Sequence, residues 1–496
     1  MLRAGLVDQA EAIYRGILAN TPRHTTALER LGELLCQTFK RNEGLELLRQ
    51  CAVELEKTGT PPSDRVRLAL RLVQWRDLDG AERCAQAAIK ADPGFARAYY
   101  ALALVHERRH EIESAIAAAQ QALSLSPSDD PVQLLMARLE ARQGNLLAAS
   151  SRLEVLIDGN GSDLRVTRRA RRELGLILDR QGHFERAFQL IEEAGMDDLS
   201  EAHKRGITPE TALRRIEHYR ATYLTHPDPV LLPQLPANSR APAFLMGFVR
   251  SGTTLLEQVL AAHPQIVSCD EEPIVYELRC EVERLLPGEG DAASKLATAS
   301  TEQILRLRQF YWDRVSVRLG RLADGLIFVD KNALNTLEIG LINAVFPDAK
   351  LILALRDPRD VCLSAFMQPY MLSDMTVHFL SWQGTVDFYA ALLGLWLSLR
   401  EQLSLNYLEV RYEDMVDDLE SQARRVLDLL GADWRPEVLA FHDKARQRII
   451  STPSFADVTQ PLHRRSLARW RNYAAPMRRM AGILASFIQA FGYDQE

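Results

Sequence analysis

The sequence predicts a helical array followed by an α/β domain built on a parallel sheet. Two observations predict it. A repeat of 34 residues runs through the first part of the chain, and short apolar runs alternate with helical patterns from about Ala241 onward. A chain of 496 residues has room for two to four domains at roughly 100–200 residues each. We expect the array over residues 1–200, a helical linker over 201–240 and the α/β domain over 241–496.

The repeat becomes visible when the sequence is compared with itself. At an offset of 34, Pro93 aligns with Pro127 and His110 aligns with Gly144. This is the period of tetratricopeptide repeats, whose units are helical hairpins, and residues 1–200 resemble that family. Small residues would let paired helices pack closely: Ala81, Ala115 and Ala148. Such arrays form a concave surface, which we expect to bind a protein or peptide partner.

A short motif inside the array matches a metal-site pattern. "HERRH", residues 106–110, fits H-E-x-x-H, in which two histidines one helical turn apart bind zinc beside a glutamate base. The repeat register argues against such a site, because His110 falls at the turn that Gly144 occupies in the next unit. We therefore interpret His106 and His110 as exposed turn residues and predict no metal.

Composition and patterning narrow the classes of function. The net charge of −6 gives no overall basic field, so nucleic acid is not an expected partner. The N-terminus lacks the apolar region of a signal peptide, and no apolar stretch reaches the ~18 residues of a membrane span. These features predict a cytoplasmic protein without a membrane span. The six cysteines contain no C-x-x-C pair, which indicates reduced, mostly buried thiols.

The second part of the chain begins with a predicted strand, loop and helix. The apolar run 243–248, "AFLMGF", leads into "GFVRSGTT" at 247–254, and residues with helical apolar spacing follow. Gly247 and Gly252 would let the backbone approach a ligand closely, while loop N–H groups and the helix N-terminus bind an anion. Three later runs are also predicted to be parallel strands: "LIFVDK" (326–331), "LILALRD" (351–357) and "YLEVRYED" (407–414).

The glycine spacing is P-loop-like, but Thr253 stands where the Walker pattern requires lysine. That lysine serves the β- and γ-phosphates of a nucleoside triphosphate beside Mg²⁺. A ligand with one phosphate on its 5′ side needs neither, and Arg250 supplies a fixed cation between the glycines. The stretch "FVRSGTTLLEQ" resembles the 5′-phosphosulfate loop of sulfotransferases, whose donor is 3′-phosphoadenosine-5′-phosphosulfate.

This resemblance requires a second anion site, for the donor's 3′-phosphate. In "LILALRDPRDVCLSAFMQ", Arg356 ends an apolar strand and Ser364 follows eight residues later in the next helix. Arginine can bind a phosphate through two hydrogen bonds, and serine adds a neutral one. The same pair at the same spacing binds the 3′-phosphate in the sulfotransferase family. With "VDKNALNTLEIGLINAVFP" between them, the two motifs identify the chain as a member of that family.

The resemblance also implies roles for individual residues. The residues implied to hold the donor's 5′ side are Arg250, Ser251, Gly252, Thr253 and Thr254. Arg250 would also act in catalysis, and Lys331 matches the family's lysine at the bridging oxygen, where positive charge would stabilise the leaving phosphate. The C-terminal segment 451–480, with six arginines between Arg464 and Arg479, resembles the part that closes over the donor, with Ser454 and Arg469 as donor contacts.

A carboxylate is the expected general base, because an acceptor hydroxyl must lose its proton as it attacks sulfur. "HPQIVSCDEEPIVYEL" offers Asp270, Glu271 and Glu272 after the loop helix. In the tyrosylprotein branch of the family the base is a glutamate in this segment, and counting from the loop arginine leads to Glu271. Glu272 stays open as the alternative, because the branch's Cys-Gly-Glu-Glu appears here as Ser-Cys-Asp-Glu.

These observations predict a sulfotransferase that acts without a metal on an acceptor oxygen. The acceptor is expected to be protein tyrosine, with a glycan or a small molecule as the alternative. The absence of the Walker lysine argues against the alternative of a kinase of related fold. A further alternative is a repeat scaffold with an inactive nucleotide-binding domain. The residues expected for activity are present and argue against it: Arg250, Lys331, Arg356 and Ser364.

Overall fold

The computed structural model describes residues 4–38, 40–57, 59–159, 163–225, 240–288, 290–442, 462 and 464–494. No helix among them combines the length and apolarity of a membrane span. The chain divides into two compact units, Met1–Ala194 and Gly195–Glu496. The helices that begin in the first unit are α1 (Ala4–Asn20), α2 (Thr25–Gln37), α3 (Arg41–Lys57), α4 (Pro62–Gln74), α5 (Leu78–Ala91), α6 (Ala96–Arg108), α7 (Ile112–Leu125), α8 (Asp130–Arg142), α9 (Leu146–Asp158), α10 (Leu164–Arg180) and α11 (Phe184–Lys204).

The predicted array of helical hairpins is confirmed. Four successive hairpins, from α4–α5 to α10–α11, turn through one residue in the left-handed conformation. Its φ is +61° at Arg76, +63° at His110, +88° at Gly144 and +84° at Gly182. Glycine adopts this conformation without strain, whereas a residue with a Cβ does so at a cost. The backbone conformation of the turn is therefore the same in each repeat, whereas the residue that adopts it is glycine in only two of the four turns.

The prediction that both histidines of "HERRH" lie in a turn is right for His110 and wrong for His106. His110 is exposed in the turn after α6, but His106 belongs to the last turn of α6 and is half-buried. The Nδ1 atom of His106 lies 2.6 Å from Oε2 of Glu111. The helix ends at Arg108, so the two histidines do not share one helical face.

Small residues pack the hairpins, with one correction to the predicted set. Ala81 and Ala115 are fully buried in the second helices of their hairpins. The next unit uses Ala149, which is also fully buried, and not Ala148, which is exposed. Ala149 lies 34 residues after Ala115, so the period itself selects it.

The second unit contains the α/β domain. Its elements are α12 (Glu210–Thr225), β1 (Ala243–Gly247), α13 (Thr253–Ala261), β2 (Ile266–Asp270), α14 (Ile274–Leu285), α15 (Ala292–Leu296), α16 (Thr301–Leu319), β3 (Ile327–Lys331), α17 (Ile339–Val345), β4 (Lys350–Leu355), α18 (Pro358–Met367), α19 (Trp382–Leu399), β5 (Asn406–Arg411), α20 (Tyr412–Asp417), α21 (Leu419–Leu430) and α22 (Ala474–Ala490). The described strands form one sheet in the order β2-β3-β1-β4-β5, and every pairing is parallel.

The sheet confirms the four predicted strands and adds β2, "IVSCD", which the sequence analysis missed. β2 is an edge strand, and polar residues at Ser268 and Asp270 interrupt its apolar pattern. The central strand β1 is buried at every position. Helices cover both faces of a parallel sheet, so a central strand becomes apolar throughout, whereas an edge strand need not.

Strand order determines where a ligand can bind. The chain leaves β1 toward β2 on one side of the sheet and leaves β4 toward β5 on the other, although β1 and β4 are hydrogen-bonded neighbours. A crevice forms at the carboxyl ends of two strands whose connections diverge in this way. The loops after β1 and β4 carry the two predicted anion sites, so the topology brings them to one crevice.

Helix α12, in the middle of the predicted linker, packs against α19 of the second unit. The Tyr223 ring lies directly against Gly340, where an added Cβ would be 2.0 Å from the ring's Cζ. Tyr219, one turn earlier, is 1% exposed, and its ring packs edge-on against Tyr223. The aromatic face of α12 thus lies in a buried interface with the α/β elements.

Candidate active site

The loop after β1 requires both of its glycines. A Cβ on Gly247 would lie 2.4 Å from the carbonyl oxygen of Ala354 on the neighbouring strand. Gly252 has φ +97°, and a Cβ there would lie 2.7 Å from the Tyr412 ring. Arg250, between them, also has a positive φ of +70°. The backbone of the loop therefore passes close to β4 and to Tyr412. Arg250 adopts the left-handed conformation under strain, because it carries a Cβ.

The end of this loop has the features of an anion site. Helix α13 begins at Thr253 with Gly252 as its N-cap, and no side chain caps it. Ser251 is 2% exposed, and its Oγ has no hydrogen-bond partner within the described ranges. Thr253 and Thr254 are also buried. A buried hydroxyl without a partner is costly in a folded protein, and a helix N-terminus favours negative charge, so a bound anion would satisfy both.

The structure brings the two predicted anion sites into direct contact. Nε of Arg250 donates to Oγ of Ser364 at 3.1 Å, and Nη1 of Arg356 donates to the carbonyl oxygen of Arg250 at 3.3 Å. Arg356 is 7% exposed, its guanidinium lies over the Tyr412 ring, and its Nε has no hydrogen-bond partner among the described residues. Arg250 in the loop after β1, Arg356 after β4 and Ser364 on α18 are therefore in contact at the crevice between β1 and β4.

The described part of the C-terminal segment, from Arg464 onward, packs onto the second anion site, which is formed by Arg356 and Ser364. Nη2 of Arg356 donates to the carbonyl oxygen of Ser466, and the Trp470 amide donates to Oδ1 of Asp360 at 2.9 Å. The Trp470 ring stacks on the Arg359 guanidinium, with 3.7 Å from Cζ to the ring centroid. Burial raises the pKa of the Asp360 carboxyl to about 6, against the charge of Arg356. This segment thus covers the helix that follows β4.

Two predicted donor contacts belong to the C-terminal segment. Arg469 begins a short 3₁₀ helix, Arg469–Tyr473, and is half-buried beside Trp470. Ser454 lies outside the described residues.

Lys331, at the end of β3, lies among carboxylates. Its ammonium donates to Asp270 Oδ1 and lies 3.4 Å from Glu271 Oε1 and 3.6 Å from Glu257 Oε2. Oε1 of Glu257 accepts a hydrogen bond from Ser268 at 2.8 Å. Burial lowers the pKa of Lys331, but the carboxylates of Glu271, Glu257 and Asp270 raise it more strongly, so the net pKa lies above its usual value. The lysine is fully buried and remains charged.

Glu271 and Glu272 have different surroundings. Glu271 faces Lys331, has φ +54°, and its amide donates to the Lys331 carbonyl at 2.9 Å. Its side chain is 47% exposed, so a substrate can reach it. Glu272 instead accepts from Nε of Arg318 at 2.7 Å, and Arg318 also pairs with Glu277. The geometry brings Glu271 to the lysine and engages Glu272 in an ion-pair network.

Two further residues contact Lys331, and neither contact is predicted from the sequence. Asp270 ends the missed strand β2, and only the pairing of β2 with β3 brings it to the lysine. Glu257 lies on the helix after the loop, among Leu255, Leu256 and Val259, and is 2% exposed. An acidic residue inside the apolar face of a helix is the signal that could have identified Glu257, because a buried carboxylate requires a partner.

The comparisons with known proteins divide the chain in the same way as the fold. Residues 242–436 match the family model described as Sulfotransferase family. Residues 66–130 and 134–199 match the model described as Tetratricopeptide repeat. The sulfotransferase match includes the loop after β1, Lys331 and the Arg356–Ser364 pair.

Individual relatives are distant. An uncharacterised protein of Aquifex aeolicus is 26% identical over 372 residues, which cover 73% of this chain and 47% of that protein, so the chain spans about half of its length. Protein-tyrosine sulfotransferase A of Caenorhabditis elegans is 27% identical over 272 residues, 51% of this chain and 67% of that one. The sulfotransferase domain of the Synechococcus PCC 7002 olefin synthase aligns at 20% identity and a TM-score of 0.37, over 52% of this chain and 98% of that domain. The family matches and the fold together show a sulfotransferase-family domain over residues 242–436 and tetratricopeptide repeats before it.

Proposed function

We propose that the protein is an O-sulfotransferase that uses 3′-phosphoadenosine-5′-phosphosulfate as its donor. The observation that carries this proposal is the contact between the two anion sites, in which Arg250 donates to Ser364 and Arg356 donates to the Arg250 carbonyl. A nucleoside triphosphate needs one phosphate site, whereas this donor has a phosphate group at each of two ribose positions. The match of residues 242–436 to the sulfotransferase family supports the same chemistry.

Two buried atoms fit this donor. Ser251 Oγ and Arg356 Nε have no hydrogen-bond partner in the described part of the chain, and they belong to different anion sites. The 5′ side would be held by Arg250, Ser251, Gly252, Thr253 and Thr254. The 3′-phosphate would be held by Arg356 and Ser364, with Arg469 and Ser454 as further contacts from the C-terminal segment. When bound, the donor supplies the sulfuryl group to the acceptor oxygen.

The catalytic roles belong to Glu271, Lys331 and Arg250. Glu271 would accept the acceptor's proton, because its carboxylate is half-exposed and follows the carboxyl end of β2, at the same edge of the parallel sheet as the two anion sites. Lys331 would provide positive charge for the leaving phosphate, and its carboxylate partners keep it protonated. Arg250 would stabilise negative charge on the transferred group. No step in this assignment requires a metal.

We propose protein tyrosine as the acceptor. The C. elegans relative is named a protein-tyrosine sulfotransferase, and the repeats offer a surface for a polypeptide. A phenol has a pKa of about 10, so a carboxylate removes its proton more easily than that of a sugar hydroxyl. We also propose that the repeats bind a protein partner and that the protein acts in the cytoplasm. The sulfotransferase domain is proposed to correspond to residues 241–496.

Calorimetry with adenosine 3′,5′-bisphosphate tests the donor. We expect the parent protein to bind it more tightly than ATP. Arg356→Ala should weaken binding by about 1.5–3 kcal/mol, the range for a hydrogen bond to a charged group. A parent that prefers ATP, or an Arg356→Ala variant that binds with parental affinity, would contradict the donor assignment.

A labelling experiment tests the acceptor. The purified protein is incubated with ³⁵S-labelled donor and a lysate of its source organism, and the label is separated by protease and glycanase treatment. Recovery of labelled sulfotyrosine supports the proposal. Label confined to glycanase-sensitive or small-molecule fractions would replace it with a glycan or small-molecule acceptor.

A further inference from the structure

The C-terminal segment carries an unbalanced positive charge. Between residues 464 and 493 the sequence contains six arginines and no carboxylate, although the whole chain has a net charge of −6. Arg465, Arg471 and Arg478 are exposed, and none of the three forms an ion pair within the described ranges. The Arg471 guanidinium lies 5.5 Å from the Trp470 ring centroid.

These arginines adjoin the proposed 3′-phosphate site. Arg465 precedes Ser466, whose carbonyl accepts from Arg356. Arg471 follows Trp470, whose amide donates to Asp360 in the helix after β4. Neighbouring residues along a chain lie about 3.8 Å apart at Cα, so the Cα atoms of Arg465 and Arg471 lie beside residues that contact the site. Arg478 is on α22, which packs against the 3₁₀ helix Arg469–Tyr473.

We propose that Arg465, Arg471 and Arg478 form a capture surface that steers the anionic donor into its site. This inference rests on the proposed function, because it takes the donor to be a nucleotide with two phosphate groups. Like charges clustered beside a cleft raise the association rate of an oppositely charged ligand by roughly 10–10³-fold. The effect acts at a distance and weakens as salt shortens the screening length, about 8 Å at physiological ionic strength. The three side chains therefore need not touch the bound donor.

Stopped-flow mixing with a fluorescent derivative of adenosine 3′,5′-bisphosphate measures the association and dissociation rates separately. The test variant is the triple substitution Arg465→Gln, Arg471→Gln and Arg478→Gln in the full chain. We expect its association rate to fall about 10-fold at ~20 mM salt while its dissociation rate stays within about 2-fold. The difference in association rate should disappear at ~0.5 M salt.

The matched control removes the same charge from the first unit, by Arg108→Gln, Arg169→Gln and Arg180→Gln. These arginines are also exposed, and the control should associate at the parental rate. An unchanged rate in the test variant, an equal loss in the control, or a faster dissociation without slower association would each overturn the capture surface. Slower binding of an acidic acceptor peptide with unchanged donor association would also overturn it, in favour of an acceptor surface. A parent that does not bind the bisphosphate would instead refute the proposed donor.

Discussion

At the scale of single residues, the surroundings of Lys331 fit the proposed pairing of a buried, charged lysine with a neighbouring base. The lysine has three carboxylates nearby, Asp270, Glu271 and Glu257. Glu257 and Asp270 can keep the ammonium paired when Glu271 turns toward an acceptor. An unpaired buried ammonium would lose its proton more easily, because burial disfavours the charged form. The surplus of carboxylates would therefore let Glu271 act as the proposed base while the lysine stays charged.

Glu271→Gln is expected to reduce sulfuryl transfer by roughly 10²–10⁴-fold, the usual contribution of general base catalysis. Donor binding should be retained, since Lys331 keeps two other carboxylates. Steady-state transfer rates and bisphosphate calorimetry measure the two effects. The control is Glu272→Gln, which disturbs the ion pair with Arg318 and should transfer at nearly the parental rate. A large loss in the control together with an active Glu271→Gln would move the base to Glu272.

Asp330 predicts a pH dependence of stability. It is fully buried, accepts hydrogen bonds from Tyr311 and Asn335, and burial raises its pKa to about 7. Because the folded pKa is above the usual value of 3.8, this carboxyl contributes most stability below about pH 4 and loses that contribution as the pH rises through 7.

We expect Asp330→Asn to remove this dependence. Between pH 4 and pH 7, the free energy of unfolding of the parent should fall relative to the variant by up to about 1.4 kcal/mol per pH unit. Denaturant unfolding at a series of pH values measures the difference. Parallel curves for parent and variant would show that Asp330 does not titrate in this range.

At the scale of elements, four hairpin turns share one left-handed backbone position, although the residue at that position differs among them. Successive turns place Arg76, His110, Gly144 and Gly182 at positive φ. The left-handed conformation disfavours a Cβ by roughly 1–2 kcal/mol, so His110 and Arg76 remain there because the flanking helices determine the turn. The loop after β1 uses the same backbone freedom at Gly252, where Tyr412 also excludes a side chain.

His110→Gly is expected to raise the free energy of unfolding of the repeat unit by about 0.5–1 kcal/mol, because it removes the strain of a Cβ at φ +63°. The reciprocal variant, Gly144→Ala, should lower it by about 1 kcal/mol. No atom lies within 4 Å of a Cβ built at Gly144, so the second change reports conformation and not a clash. Denaturant unfolding of both variants provides the measurement, and equal shifts of the same sign would contradict the explanation.

At the scale of the whole molecule, the predicted linker and the α/β domain share a buried interface. α12 packs on α19, and Tyr223 occupies the space that a side chain at position 340 would take. The end of α11 adds Ala202, which packs with Ile207 and Val377 in a separate small core. The second unit accordingly begins at Gly195, before residue 241, the predicted start of the α/β domain.

A truncation pair tests this difference. We expect the fragment 195–496 to unfold cooperatively and to bind adenosine 3′,5′-bisphosphate with the affinity of the full chain. The fragment 241–496 should be less stable, because it exposes the surface that Tyr219 and Tyr223 cover. Thermal unfolding and calorimetry on both fragments make the comparison. Equal stability of the two would show that α12 contributes little to the domain.

Local patterns in the sequence were sufficient to predict most of the secondary structure and one of the anion sites. The repeat period predicts the hairpins, and the apolar runs predict four strands. The loop "GFVRSGTT" predicts an anion site, because glycine spacing and a strand–loop–helix pattern involve residues close in the chain. Edge strand β2 is not predicted because polar residues interrupt its apolar pattern. The predicted packing residue Ala148 lies one position before Ala149, which is buried and which the 34-residue period selects.

By itself the sequence determined the two architectures and the motifs, since these depend on periodicity and on contacts within a few residues. Only the tertiary structure decided which of these motifs meet. Strand order β2-β3-β1-β4-β5 brings Arg250 to Ser364, which are 114 positions apart, and aligns Asp270 with Lys331 across two strands. It also separates Glu271 from Glu272, adjacent in sequence but paired with Lys331 and Arg318 respectively. Such contacts arise from burial and strand pairing between distant segments, and no local pattern records them.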